Sequence, residues 1–233
     1  MPKKENIRQM FDDIAPEYDK LNHIMSFEID KGWRKKAVRK IIDSDKSLEI
    51  LDVACGTGDF SIEIAKQAKE GSRITGVDLS DGMLEIGKKK VSSLGMSETI
   101  KLEQGDCERL RFSDQSFDRV SVAFGVRNFE NLETGLREMK RVLKAGGKIV
   151  ILELSVPGNK FLLALYKIYT LKILPAIGGA ISGNKKAYEY LPASVLKFPK
   201  PEKFKALIRD CGFKNIRSQS FTFGACRMYI GEK

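Results

Sequence analysis

Along the chain, a polar and aromatic opening gives way to short apolar runs that alternate with amphipathic stretches. Residues 1–45 are polar with interspersed aromatics, Phe11, Tyr18, Phe27 and Trp33, and predict an N-terminal helical cap. Leu48-Glu-Ile-Leu-Asp-Val-Ala54 is a compact apolar run ended by Cys55-Gly-Thr-Gly58, which predicts a buried strand entering a tight loop. Asp59 to Lys69 spaces Phe60, Ile62, Ile64, Ala65 and Ala68 as an amphipathic helix requires, and Gly71 closes it. The alternation then repeats. Strands are predicted at Arg73–Asp78, Ile100–Gln104, Phe117–Phe124 and Lys148–Leu154, with helices at Asp81–Val91 and Leu132–Leu143 before a Lys144-Ala-Gly-Gly147 turn. Strands alternating with helices imply right-handed crossovers and an α/β, doubly wound, mostly parallel sheet. A helix at Pro201–Cys211 and strands at Phe213–Phe221 and Ala225–Ile230, joined through Gly224, predict a C-terminal antiparallel hairpin.

Between these parts the rhythm breaks. Phe161 to Ile181 is almost wholly apolar, but Lys167, Lys172, Pro175 and a glycine pair interrupt it. A membrane-spanning helix needs roughly 20 apolar residues with few charges, so an insert packed on the core, also touching lipid, is the expectation for residues 158–198. At 233 residues the chain suits a single domain, 1–233, with local embellishments.

The formal charge is +10, which favours acidic partners such as an anionic membrane, phosphorylated ligands or nucleic acid. The cations are unevenly placed: Lys31 to Lys40 carries six of them, and Lys160 to Tyr188 contains no acid. Four scattered cysteines without a CxxC pair, and a single His23, predict no metal site. The opening residues lack the apolar core of a signal peptide, so a cytoplasmic location with reduced thiols is expected.

The sharpest chemistry lies in Leu51-Asp-Val-Ala-Cys-Gly-Thr-Gly-Asp-Phe60 followed by Gly76-Val-Asp-Leu-Ser80. Gly56 and Gly58 let a ligand approach the backbone closely, and Asp78 ends the next strand, where a carboxylate can accept both hydroxyls of a ribose. The third glycine of a dinucleotide fingerprint is missing, and Asp59 stands where pyrophosphate would sit. An acidic loop suits the cationic sulfonium and amino group of S-adenosylmethionine instead. Gly105-Asp-Cys107 after the third strand adds a polar group for an adenine amine.

These residues resemble the menaquinone and ubiquinone biosynthesis C-methyltransferases. The likeness extends over Met10-Phe-Asp-Asp-Ile-Ala-Pro-Glu-Tyr-Asp-Lys-Leu-Asn22, Trp33-Arg34, the cofactor loop, Phe124-Gly-Val-Arg-Asn128, Arg141–Gly147, Leu152–Pro157, Ala187-Tyr-Glu-Tyr-Leu-Pro-Ala-Ser194 and Phe198-Pro199. It departs at Cys107, at Ala123 where some members carry Ser, and at Ala145 where Pro is usual. The resemblance implies a class I, Rossmann-like methyltransferase fold and places Thr57, Asp78, Asp106 and Cys107 at cofactor-contacting positions. With Gly56, Gly58 and Leu79 they form the candidate cofactor set.

The implied reaction methylates a ring carbon of a polyprenylated quinol, with demethylmenaquinol favoured over a ubiquinol precursor. Arg127 is the candidate to stabilise a phenolate and Asn128 to orient it or a water; Tyr18, His23 and Tyr190 are weaker candidates for a base. A substrate with a bilayer-bound tail also implies that the 160–188 insert and Lys31–Lys40 form a peripheral membrane face. The alternatives are a methyltransferase of this fold acting on another small molecule or on RNA, a non-catalytic nucleotide- or lipid-binding module, and, more distantly, a NAD-dependent dehydrogenase. No RNA-reading motif is apparent, so no nucleic acid is expected.

Overall fold

A computed structural model describes residues 3–26, 28–169 and 185–233. Its strands are β1 (Glu49–Val53), β2 (Arg73–Asp78), β3 (Ile100–Gln104), β4 (Phe117–Ala123), β5 (Leu143–Leu154), β6 (Lys214–Phe221) and β7 (Cys226–Glu232). They form one sheet in the order β3-β2-β1-β4-β5-β7-β6. The first five are parallel; β7 runs antiparallel to β5, and β6 antiparallel to β7, giving the expected hairpin. Ile50, Leu51 and Val53 of β1 are fully buried because helices cover both faces, which is why this strand reads as a continuous apolar run.

The helices are α1 (Lys4–Met25), α2 (Ile29–Ile41), α3 (Asp59–Gln67), α4 (Asp81–Ser93), α5 (Leu132–Val142), α6 (Lys160–Ile168), α7 (Lys185–Lys197) and α8 (Pro201–Asp210). On one face, α2 buries Trp33, Ala37, Val38 and Ile41 in a core shared with Phe60, Ile64 and Leu84 of α3 and α4. On the other, α5 buries Leu132, Leu136, Met139 and Val142, spaced as one helical stripe, with Phe204 and Ile208 of α8. Ser80 caps α4 by accepting from the Met83 N–H at 3.1 Å, and Asn131 caps α5 by accepting from Thr134 at 3.0 Å.

One expectation needs correction. The Lys144–Gly147 segment is part of β5 rather than a turn before it. Phe117 pairs with Leu143 but Arg119 with Lys148, so the extra residues are absorbed as a register shift. The apolar stretch begins as a helix, α6, capped by Asn159, but residues 170–184 lie outside the described residues. No described helix is long and apolar enough to cross a membrane.

One polar group stands inside the central strand. Asp52, 1% exposed, accepts hydrogen bonds from Ser61 of α3 at 2.7 Å and Ser121 of β4 at 2.8 Å. Burial pushes its carboxyl up to about 6, against the pull of those two hydroxyls, with Asp78 adding to the rise. Because the folded-state value lies above the unfolded one, the folded form holds this proton more tightly. Its contribution to stability is therefore lost as pH rises from about 4 to about 6, by up to about 3 kcal/mol. Asp52→Asn cannot ionise, so between pH 4 and pH 7 its Tm should gain several °C on the parent, as measured by thermal denaturation. A Tm gap that does not change with pH would show that Asp52 ionises normally.

Candidate active site

The carboxyl ends of β1 to β4 surround a cleft of about 720 Å³. Ala54, Gly56, Asp78, Leu79, Cys107 and Asn128 are among its walls. The loop after β1 needs its glycines. Gly56 and Gly58 have φ of +55° and +79°, the left-handed region that side chains disfavour. Gly87 lets α4 approach the loop, since a Cβ there would stand 3.1 Å from the Thr57 carbonyl. Asp78 is held by backbone donors on both oxygens, Gly56 N at 2.8 Å and Ser80 N at 2.9 Å. Burial raises its pKa, while those N–H groups counteract the rise.

The cofactor set divides. Gly56, Asp78, Leu79 and Cys107 wall the cleft; Thr57, Gly58 and Asp106 shape it from behind. The Thr57 hydroxyl donates to Asp19 of α1 at 2.5 Å, and Asp106 accepts from Lys4 at 2.8 Å and from the Glu108 N–H at 2.8 Å. Asp59 does not supply the acidity expected of it: Lys90 bonds it at 2.6 Å and also bonds Asp19 at 2.7 Å. The acids that face the cleft are Asp78, Glu108 and Glu130. Asp106, Cys107 and Glu108 also bring three potential metal ligands within 4.8 Å, a grouping that the sequence reading did not expect. Lys4 meets both carboxylates of that group, at 2.8 and 3.3 Å, and burial keeps the Cys107 thiol protonated.

Helix α1 straps the cleft. Its Lys4, Ile7, Arg8, Phe11 and Tyr18 form one wall. Asp12 accepts from the Ser80 hydroxyl at 2.6 Å and the Gly82 N–H at 2.9 Å, tying α1 to the start of α4.

A second, larger cavity of about 1070 Å³ adjoins the first. Trp33, Tyr166, Tyr169, Leu191 and Val195 make it aromatic and apolar, and Tyr18 and Phe124 wall both spaces. Phe124 sits at φ +59°, a strained conformation for a bulky residue. Its ring lies 6.3 Å from that of Trp33 and 5.5 Å beneath the Arg34 guanidinium. Arg127 and Asn128, consecutive in a 3₁₀ turn after β4, separate to the two sides: Arg127 walls the large cavity and Asn128 the cleft. Arg127, 6% exposed, is paired with Glu153 at 2.7 Å. Burial opposes its charge, but Glu153, with Tyr18 and Tyr190, more than offsets that effect and its pKa is raised. Asn128 Oδ1 accepts from the Tyr190 hydroxyl at 2.9 Å. Burial raises the Tyr190 pKa, so this phenol stays a donor. The His23 side chain lies outside the described residues.

The family model described as the ubiE/COQ5 methyltransferase family matches residues 1–233. The chain belongs to that family. It is an S-adenosylmethionine-dependent C-methyltransferase. It is 47% identical to a ubiquinone/menaquinone biosynthesis C-methyltransferase UbiE of Geotalea daltonii, over 99% of this chain and 97% of that protein. It is 43% identical to a demethylmenaquinone methyltransferase of Bacteroides fragilis, over 99% and 94%. A solved SAM-dependent methyltransferase from Thermotoga maritima shares the fold at a TM-score of 0.68, with 19% identity over 97% of this chain and 99% of that one.

Sequence reasoning missed Phe124 as the shared wall and Glu108 and Glu130 as cleft acids. The helical cap expected over residues 1–45 is α1 and α2, and α1 carries the stripe Ile7, Phe11, Ile14, Tyr18. Loss of the strap is measurable in this family member. Asp12→Ala should cost about 1–2 kcal/mol and hasten limited trypsin cleavage within α1. Unchanged cleavage would mean that α1 is held by its apolar face alone.

Proposed function

We propose that this enzyme transfers a methyl group to a ring carbon of a polyprenylated quinol, demethylmenaquinol first, giving menaquinol. The observation that carries the reading is the pair of adjoining cavities. One carries a fixed carboxylate, Asp78, among its walls; the other is aromatic and apolar; and they meet at Tyr18 and Phe124. When bound, S-adenosylmethionine supplies an electrophilic methyl group on a cationic sulfur.

The chain's own residues position the partners. The Asp78 carboxylate would take the ribose hydroxyls, while Gly56, Leu79 and Cys107 would line the nucleoside. Thr57, Gly58 and Asp106 hold that wall in shape. The quinol ring lies in the aromatic cavity, with a hydroxyl directed at Arg127. The guanidinium favours the phenolate, which sends electron density to the neighbouring ring carbon. That ring carbon would take the methyl group, and the phenol proton and the displaced ring proton would pass to water, restoring aromaticity. Asn128, fixed by Tyr190, orients the oxygen or a water beside it. Alignment across the shared wall can contribute about 7–11 kcal/mol to such a reaction.

A bilayer-bound tail accounts for the exposed apolar side chains near the larger cavity. Phe161, Leu165 and Ile168 share one face of α6 and are 71%, 49% and 51% exposed, and Phe223 is 81% exposed. Gly224 packs against Pro157, setting Phe223 near the start of α6. With Lys160, Lys167 and the cations of α2, this surface suits docking on an anionic bilayer from the cytoplasmic side.

Anaerobic incubation with methyl-labelled S-adenosylmethionine and a short-tailed demethylmenaquinol should place label on the ring, read by mass spectrometry. Label on no quinol ring would overturn the reading. Arg127→Ala should lower kcat about 10²- to 10³-fold, with cofactor affinity little changed. Asp78→Asn should instead weaken cofactor binding about tenfold or more. Replacing Phe161, Leu165 and Phe223 with Glu should abolish co-sedimentation with phosphatidylglycerol vesicles. Undiminished sedimentation would remove the membrane face.

A further inference from the structure

Glu153 walls neither cavity, yet it is the most completely buried carboxylate near the substrate side, at 0% exposure. It ends the apolar run Lys148-Ile-Val-Ile-Leu-Glu, on the face of β5 where Ile149 and Ile151 are core. An aliphatic side chain would serve packing there. A buried ion pair is weak support for stability, because desolvation offsets most of its attraction. Its geometry is the more informative property.

Glu153 grips one residue twice. Oε1 accepts from Arg127 Nη1 at 2.7 Å and Oε2 from the Arg127 backbone N–H at 3.1 Å, while the Leu154 N–H donates to Oε1 at 2.7 Å. Arg127 Nη1 also donates to the Phe124 carbonyl, and Nε donates to Ser194 Oγ at 3.3 Å. A guanidinium is planar, so fixing Nε and Nη1 fixes Nη2 as well. Among the described residues Nη2 has no hydrogen-bond acceptor, and Arg127 walls the large cavity.

We propose that Glu153 is the positioning residue of Arg127, holding the guanidinium so that Nη2 alone is presented to the quinol oxygen. This rests on the reading of Arg127 as the phenolate-binding cation. Positioning and simple charge make opposite predictions. If Glu153 acted only as a nearby negative charge, its removal would make the cavity more positive, favour the phenolate and speed the reaction. If it aims Arg127, its removal slows the reaction, and the rise of kcat with pH moves to higher pH.

The test compares Glu153→Gln, Arg127→Ala and the double variant with a short-tailed demethylmenaquinol and S-adenosylmethionine. Glu153→Gln should lower kcat tenfold or more, keep the cofactor Kd within twofold, and shift the acid limb of the kcat profile upward. In the Arg127→Ala background the same substitution should change kcat less than twofold. Should Glu153→Gln not fold, Glu153→Asp, which keeps the charge but withdraws it by one methylene, is read by the same criteria. Parental kcat, a faster enzyme with its limb at lower pH, or an undiminished loss in the Arg127→Ala background would each overturn the proposal. Parental kcat in Arg127→Ala would refute the phenolate-binding reading itself, a result distinct from the other three.

Discussion

At β1 the sheet changes its direction of growth, with β2 and β3 added on one side and β4 and β5 on the other. Right-handed crossovers therefore carry α3 and α4 to one face and α5 to the opposite face. No crossover helix closes over the carboxyl ends of β1 and β4, and a crevice remains there. The loops after four strands, at Ala54–Gly58, Leu79–Ser80, Gly105–Glu108 and Phe124–Phe129, converge on it. Helix α1 then crosses the opening, fastened by Asp12 and Asp19. Each later feature of the site depends on that reversal.

Around the crevice the fold buries charge that a plain core would exclude. Asp52 is met by two hydroxyls, Asp78 by two backbone N–H groups, and Glu153 by a guanidinium and two backbone N–H groups. A satisfied buried carboxylate resists displacement, because any movement leaves it unpaired in a medium of low dielectric. Each such group is thus a rigid point beside a ligand space. The acids near the cleft act differently from one another for the same reason. Asp59 and Asp106 spend their charge on Lys90 and Lys4, while Asp78 keeps lone pairs toward the cleft.

Phe124 and Tyr18 join this rigid frame to the apolar cavity. Phe124 follows β4 directly in a left-handed conformation, a strain of about 1–3 kcal/mol. Its carbonyl receives Arg127 Nη1, and its ring is held by Trp33 and Arg34. The wall between the two spaces is therefore anchored from both α2 and the 3₁₀ turn. A partition fixed in this way keeps the two cavities distinct while leaving them in contact.

The order of strands and helices was legible in the sequence because a parallel sheet buried on both faces imposes short apolar runs, and amphipathic helices repeat with their own period. The glycines of the loop after β1 and the carboxylate ending β2 were legible too, since their chemistry is local to a few residues. The split within the cofactor set was not. Whether Thr57 and Asp106 face a ligand depends on Asp19 and Lys4, residues brought over them by α1 from far along the chain. The partner of Arg127 was equally hidden, because Glu153 lies 26 residues away and meets it only where β5 pairs with β4. Periodicity reports which face of an element is buried. Only the packed chain decides which buried charge meets which, since that depends on contacts between segments whose spacing in sequence carries no record of them.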